Sequence, residues 1–306
     1  MESKEFENNI NLKELFLTFW RKKFFILLFT SFFALSSIII ALSIPNVYKS
    51  QALLAPSSNE ESLTSKLVGL STFASVGGFS IPSNEATKTQ EAIARINSFE
   101  FFSDYFLPNI KLEDIMATEK WIAEKDKLVY DKNKFDVTTK TWVKNDPEID
   151  DPTPSAQDAY KVYKLIMSVV QESDTTFIKL SVEHHSPKVA QSWVDLIIYQ
   201  INESMRKIDA ENAQKSISFL NESFSQTNVQ SIKEVHAKLL EEQIQALMLS
   251  ESNKYYVLKI LDSPIVPENK SKPNRAMICV VITLLGGFIS LMIVLLQNYK
   301  KSIDFF

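Results

Sequence analysis

Cysteine is almost absent: Cys279 is the only one among 306 residues. No intramolecular disulfide can form, so whatever folds here is held by its own core or by neighbouring subunits. Glycine is nearly as scarce, with five in all, Gly69, Gly77, Gly78, Gly286 and Gly287. None stands between Phe79 and Leu285. Phosphate-cradling loops and nucleophile elbows need glycine where the backbone closely approaches a ligand. Their absence excludes a Walker loop, a dinucleotide fingerprint and a G-x-S-x-G elbow. Gly77-Gly78 has no lysine beside it and reads as a turn. Histidine numbers three, and the neighbours His184 and His185 point to opposite faces of an expected strand. They cannot readily share a metal and read as solvated residues at a strand end. The acidic run from Asp146 to Asp158 reads as a solvated loop rather than a pair of catalytic carboxylates. No catalytic, cofactor-binding or metal-ligating residue is assigned, and no cofactor is expected. A net charge of −4 argues against nucleic acid as a partner.

Charge is also missing from two long runs. Phe24 to Ile44 and Ala276 to Leu296 each hold 21 uncharged residues. At about 1.5 Å per residue each helix spans ~31 Å, the thickness of a bilayer's hydrocarbon core. Buried core helices of this length without a charge are rare. A cleaved signal peptide is the rival for the first run, since Ala41-Leu42-Ser43 resembles a small-x-small cleavage site. Its apolar region exceeds the ~7–15 residues usual there, so an uncleaved anchor is the better reading. Arg21, Lys22 and Lys23 abut the first run, against Lys49 alone beyond it. The positive-inside rule keeps that end cytoplasmic, although Lys270, Lys272 and Arg275 before the second run argue the other way. The expected organisation is a cytoplasmic tail (1–23), a membrane helix (24–44), a periplasmic domain (45–275), a second membrane helix (276–296) and a cytoplasmic tail (297–306). The location is a bacterial inner membrane crossed twice.

Within the outer domain, Val47–Ala55 reads as a strand and residues 62–82 as an apolar, small-residue stretch. Thr87-x-x-Gln90 forms a capping box for a helix carrying Ile93, Ile96, Phe99 and Phe102. Residues 120–150 are charged and read as irregular. Ser155-x-x-Asp158 opens a helix through Val170, and Thr175–Glu183 alternates as a strand. Ser186-Pro187 is an N-cap followed by proline at the first helical position. Helical periodicity then runs through Trp193, Ile197, Ile201, Met205 and Ile208, thinning to the seam Ala213, Ile217, Leu220 and Phe224. Such a seam suits a helix-to-helix contact. Ser231-x-x-Glu234 provides a second capping box before Val235, Leu239, Leu240, Ile244, Leu247 and Met248. Two readings stand: a helical hairpin over about 187–250 with its tip near 225–231, or one continuous helix with a polar patch. Tyr255–Leu261 reads as a last strand, followed by a connector stiffened by Pro264, Pro267 and Pro273. Inside the membrane runs, Gly286-x-x-x-Ser290 and Ser37-x-x-x-Ala41 allow close helix approach, and Gly286 and Gly287 are the packing candidates.

Several of these segments resemble one family, the Wzz-type polysaccharide co-polymerases that set O-antigen chain length in Gram-negative bacteria. The likeness includes Ile10-Asn11-Leu12 through Trp20-Arg21-Lys22-Lys23, then Tyr48-Lys49-Ser50, Glu91 to Ile96 with Ser98 and Phe102, and Ser181 to Ile198. Pro264-x-x-Pro267 matches the family's approach to its second membrane helix, whereas Ser271-Lys272-Pro273 keeps that motif's residues in another order. The resemblance implies an α/β membrane protein: two terminal transmembrane helices flanking a periplasmic α/β base domain with a long projecting helical hairpin. It further implies a homo-oligomer, an octamer in many members, working beside a Wzy-type polymerase and a lipid-linked glycan. Members joined to a tyrosine kinase are a different type, since no Walker motif is present. The alternative function is a two-anchor periplasmic sensor or adaptor, disfavoured because only Gln297–Phe306 follow the second run.

Overall fold

The computed structural model describes residues 19–57, 84–144, 151–172, 174–226, 230–252 and 255–303. Most of the first tail, the stretch 62–82 with its three glycines, part of the acidic run and the expected hairpin tip lie outside the described residues. The chain divides into two units, residues 1–46 with 271–306, and residues 47–270.

The first unit is a pair of packed helices, α1 (Lys23–Ser43) and the last helix, α8 (Arg275–Ile303). Both are long and apolar enough to cross a membrane. Their outer faces are uncovered, with Phe24, Leu28, Leu284 and Phe288 exposed, as lipid-facing side chains are.

The second unit is built on a four-stranded antiparallel sheet in the order β6-β7-β1-β8: β1 (Tyr48–Pro56), β6 (Met167–Gln171), β7 (Ile178–His184) and β8 (Leu258–Asp262). Alternation sets its two faces. Ser50, Ala52 and Leu54 of β1 are buried, as are Ile178, Leu180 and Val182 of β7, while Lys49, Gln51 and Lys179 are exposed. On the buried face lies the first half of α6 (Pro187–Gln226), contributing Trp193, Val194, Ile197, Ile201 and Met205. An aromatic cluster completes this core. Phe102 and Phe106 each lie 5.0 Å from the ring of Tyr163, and Phe106 meets Trp193 edge-on at 5.6 Å. Tyr163 donates to the Ile96 carbonyl at 2.9 Å, so its hydroxyl is satisfied inside the core.

Several local expectations change. Helix α2 (Asn84–Ile96) begins before Thr87 and does not continue through Phe102. Ser98 adopts an extended conformation and accepts from the Phe101 amide at 3.1 Å, capping a new helical stretch: α3 (Phe99–Phe101), a π-helical segment (Phe102–Phe106) and a 3-10 turn (Leu107–Asn109). After α4 (Leu112–Met116), the segment expected to be irregular holds two small ribbons. These are β2 (Thr118–Ile122) with β3 (Lys127–Tyr130), and β4 (Phe135–Asp136) with β5 (Thr141–Trp142). The turn between β2 and β3 is fixed by Asp126, which accepts from Trp121 Nε1 at 3.0 Å and Lys188 Nζ at 2.5 Å. Lys188 first, then Trp121, holds the Asp126 carboxyl below the usual carboxylate range. Helix α5 (Ala156–Ile166) starts on its Ser155 cap but stops before Val170, since Met167–Gln171 joins the sheet as β6.

Helix α6 does begin at Pro187, with Ser186 Oγ accepting from the Val189 amide at 3.4 Å. Past Met205 the only buried apolar side chain of α6 among the described residues is Ala213. There α6 packs along α7 (Gln230–Ser252). The pair is two helices, and residues 227–229 between them lie outside the described residues.

Candidate functional site

Among the described residues no group of three or more His, Cys, Asp and Glu side chains could hold a metal ion. His184, expected to be solvated, is instead buried. Its Nδ1 accepts from the Ser186 amide at 3.0 Å, its Nε2 lies 2.9 Å from the Asp114 carbonyl, and its ring packs 4.9 Å from Trp193. Those partners make Nε2 the protonated nitrogen of a neutral ring. Burial pushes its pKa down to about 4. The ring thus holds α4 to the start of α6 and is no metal ligand.

The features that bear on function are three packing arrangements. The first holds the proline connector. Pro264 is buried, and its carbonyl accepts from Gln191 Nε2 of α6 at 3.1 Å. The next carbonyl, of Ile265, accepts from Ser50 Oγ of β1 at 2.8 Å. At the start of β8, Asn202 of α6 fixes the strand itself. Its Oδ1 accepts from the Val257 and Leu258 amides at 2.8 and 3.1 Å, and its Nδ2 donates to Leu258 and Ile198 carbonyls. Asn202 is buried and fully used, so α6 is stitched to the strand and connector that follow it. Pro267 is half-buried in this unit, and Pro273, in the first unit, is half-buried as well. Sequence reasoning singled out the prolines as packing candidates, but gave Ser50 and Gln191 no such role and did not name Asn202. An asparagine amid Ile198, Ile201 and Met205 was the available signal, since a polar residue on a buried face needs partners.

The second arrangement is the outer part of the α6–α7 pair. Leu220 is half-buried, and Phe224 is 43% exposed, with its ring 6.5 Å from His236 and Lys233 Nζ above it at 5.8 Å. Other apolar residues of the pair are also open, Phe219, Val235 and Met248 more so than Phe224, and Leu239 and Ile244 about as much.

The third is the contact of α1 with α8. Ser37, Ala41, Gly286 and Ser290 are all buried where the two helices pack. A Cβ on Gly286 would fall 2.5 Å from both Cβ and Cγ of Phe33, whereas one on Gly287 would lie 3.8 Å from Thr30 Oγ1. Arg275 Nε donates to the Ala41 carbonyl and its Nη2 to Asn46 Oδ1, both at 3.1 Å, closing one end of the pair. Lys22 Nζ donates to Gln297 Oε1 at 2.5 Å near the other.

Comparison with known families bears on both units. Residues 8–102 match the model of the chain length determinant protein, Wzz. Residues 225–299, running from α7 through the connector into α8, match GNVR, the G-rich domain on putative tyrosine kinase. Solved structures similar to this chain include a full-length bacterial polysaccharide co-polymerase, at 13% identity over 95% of this chain and 99% of that one, with a TM-score of 0.42. A fragment of WzzB, a polysaccharide co-polymerase from Salmonella Typhimurium, is 13% identical over 74% of this chain and all of that one, with a TM-score of 0.31. No curated protein matches the chain in sequence. The Wzz match supports a chain-length regulator, and the two apolar helices a membrane protein.

Proposed function

We propose that the protein is a non-enzymatic regulator of lipopolysaccharide O-antigen chain length. Copies of the chain assemble into a scaffold beside a Wzy-type polymerase, and the scaffold biases when extension of the lipid-linked glycan stops. Residues 45–275 lie in the periplasm, 24–44 and 276–296 span the inner membrane, and 1–23 and 297–306 are cytoplasmic.

The observation that carries this reading is the set of apolar side chains left open on α7 and the outer part of α6, Phe219, Val235, Leu239, Ile244 and Met248, in a chain whose residues 8–102 match a chain length determinant. Apolar area in water costs about 25 cal/mol per Å², and long helices relieve that cost by packing against one another. A second copy offers the same side chains, so like copies can cover each other. The stitched connector fits a scaffold too, because it fixes how the strand leading to the second anchor sits on α6. A topology experiment tests the placement. A reporter active only outside the cytoplasm is expected to be active when inserted near Asn145 and silent at Phe306. Activity at Phe306 overturns the placement.

A further inference from the structure

The first unit has a groove of about 570 Å³ that the helix pairing does not fill. Trp20, just before α1, and Lys23, Leu27, Thr30 and Ala34 on α1 form its wall, and Thr283 of α8 meets it at the deep end. Its character changes along its length. At the mouth, Lys23 Nζ sits 4.7 Å from the Trp20 ring centre, next in sequence to Arg21 and Lys22. Deeper, the lining is almost wholly apolar. From Lys23 to Ala34 the helix rises ~17 Å, close to half of a ~30 Å hydrocarbon core. The groove therefore begins where a headgroup lies and ends near the bilayer midplane, the reach of one acyl chain from one leaflet.

We propose that this groove is a site for an anionic phospholipid, with one acyl chain lying along α1 and the phosphate held by Lys23 and Arg21. Charge complementarity selects the ligand. A zwitterionic lipid fills the same apolar space but brings its own cation to a mouth lined by Lys23, with Arg21 two residues before it in sequence. Trp20 serves as the interfacial ring against which the headgroup end rests.

Trp20 also reports on occupancy, because the other tryptophans, Trp121, Trp142 and Trp193, belong to the second unit. The full-length chain is reconstituted into phosphatidylcholine vesicles containing a small, equal fraction of either phosphatidylglycerol or phosphatidylcholine brominated in its acyl chains. The Trp20 contribution is the difference between the native chain and Trp20→Phe. Quenching by the brominated phosphatidylglycerol is expected to exceed that by brominated phosphatidylcholine by about five-fold, the enrichment that one basic residue near an anionic surface gives. Lys23→Gln with Arg21→Gln brings the ratio to about one. Ala34→Phe, which fills the deep end and leaves every cation in place, lowers it as well. Equal quenching by both lipids overturns the proposal. So does a ratio that survives Ala34→Phe, which makes the lipid part of the general annulus, or no quenching by either, which means protein covers the groove.

Discussion

Gly286 and Gly287 are neighbours with different tasks. A methyl at Gly286 meets atoms of Phe33 next to that residue's backbone, which cannot swing away, so the helices must separate. At Gly287 the same methyl reaches only ordinary contact with Thr30. Gly286→Leu is therefore expected to lower the melting temperature of the detergent-solubilised protein and to disturb glycan length, while Gly287→Ala changes neither. Equal effects at both positions contradict the packing described. His184 gives a second test at this scale. Its pKa is about 4 in the folded protein against an ordinary 6.5, because burial disfavours the charged ring. The unfolded chain thus takes up a proton first as pH falls. The stability contributed by the neutral ring is complete above about pH 6.5 and is lost progressively toward pH 4, at most ~3 kcal/mol. The urea midpoint is expected to fall between pH 7 and pH 5, and to fall less in His184→Gln. An identical slope in the variant shows that another group carries the dependence.

Among the elements, the α6–α7 pair makes the sharpest prediction. Val235 and Leu239 are exposed, so Val235→Asp with Leu239→Asp costs the single chain little. Between copies, each carboxylate is desolvated without a partner. The double variant is expected to melt as the native chain does but to lose its oligomer in native mass measurements. Leu220→Asp, at a half-buried position, lowers the melting temperature as well. Retention of the oligomer in the double variant removes Val235 and Leu239 from the interface. The elements also show where sequence reasoning reached. Ser186-Pro187 and Ser155 mark helix starts because capping is local chemistry, written within four residues. The alternation Ile178, Leu180, Val182 gave β7 for the same reason. The stops were harder to read. Asn97 donates its side chain to the Ile93 carbonyl and Ser98 caps a new start, inside a pattern that stays periodic in its apolar residues. Ribbons β2–β5 are short and highly charged, and depend on contacts such as Trp121 with Tyr48 that no local window contains. Of the site residues, the prolines and the glycine pair stand out by type. Gln191, Ser50 and Asn202 matter through partners 55 to 215 residues away. Spacing gave α6 its narrow seam of apolar positions, but not which of them, or of the apolar positions of α7, a neighbouring helix covers.

The whole molecule holds two apolar helices, a sheet whose strands β1 and β8 adjoin in sequence the connections toward those helices, and a long helix tied to the proline connector. On the proposed role as a length regulator, polymer forms without the protein and only its length distribution responds. The most direct test is the lipopolysaccharide ladder on a gel, compared between a strain carrying the gene, a clean deletion, and the deletion complemented in trans. The expected result is a ladder with a preferred length in the first, short chains without that preference in the second, and the preference restored in the third. An unchanged ladder in the deletion contradicts length control, and complete loss of polymer contradicts a regulator in favour of a protein essential to the polymerisation chemistry.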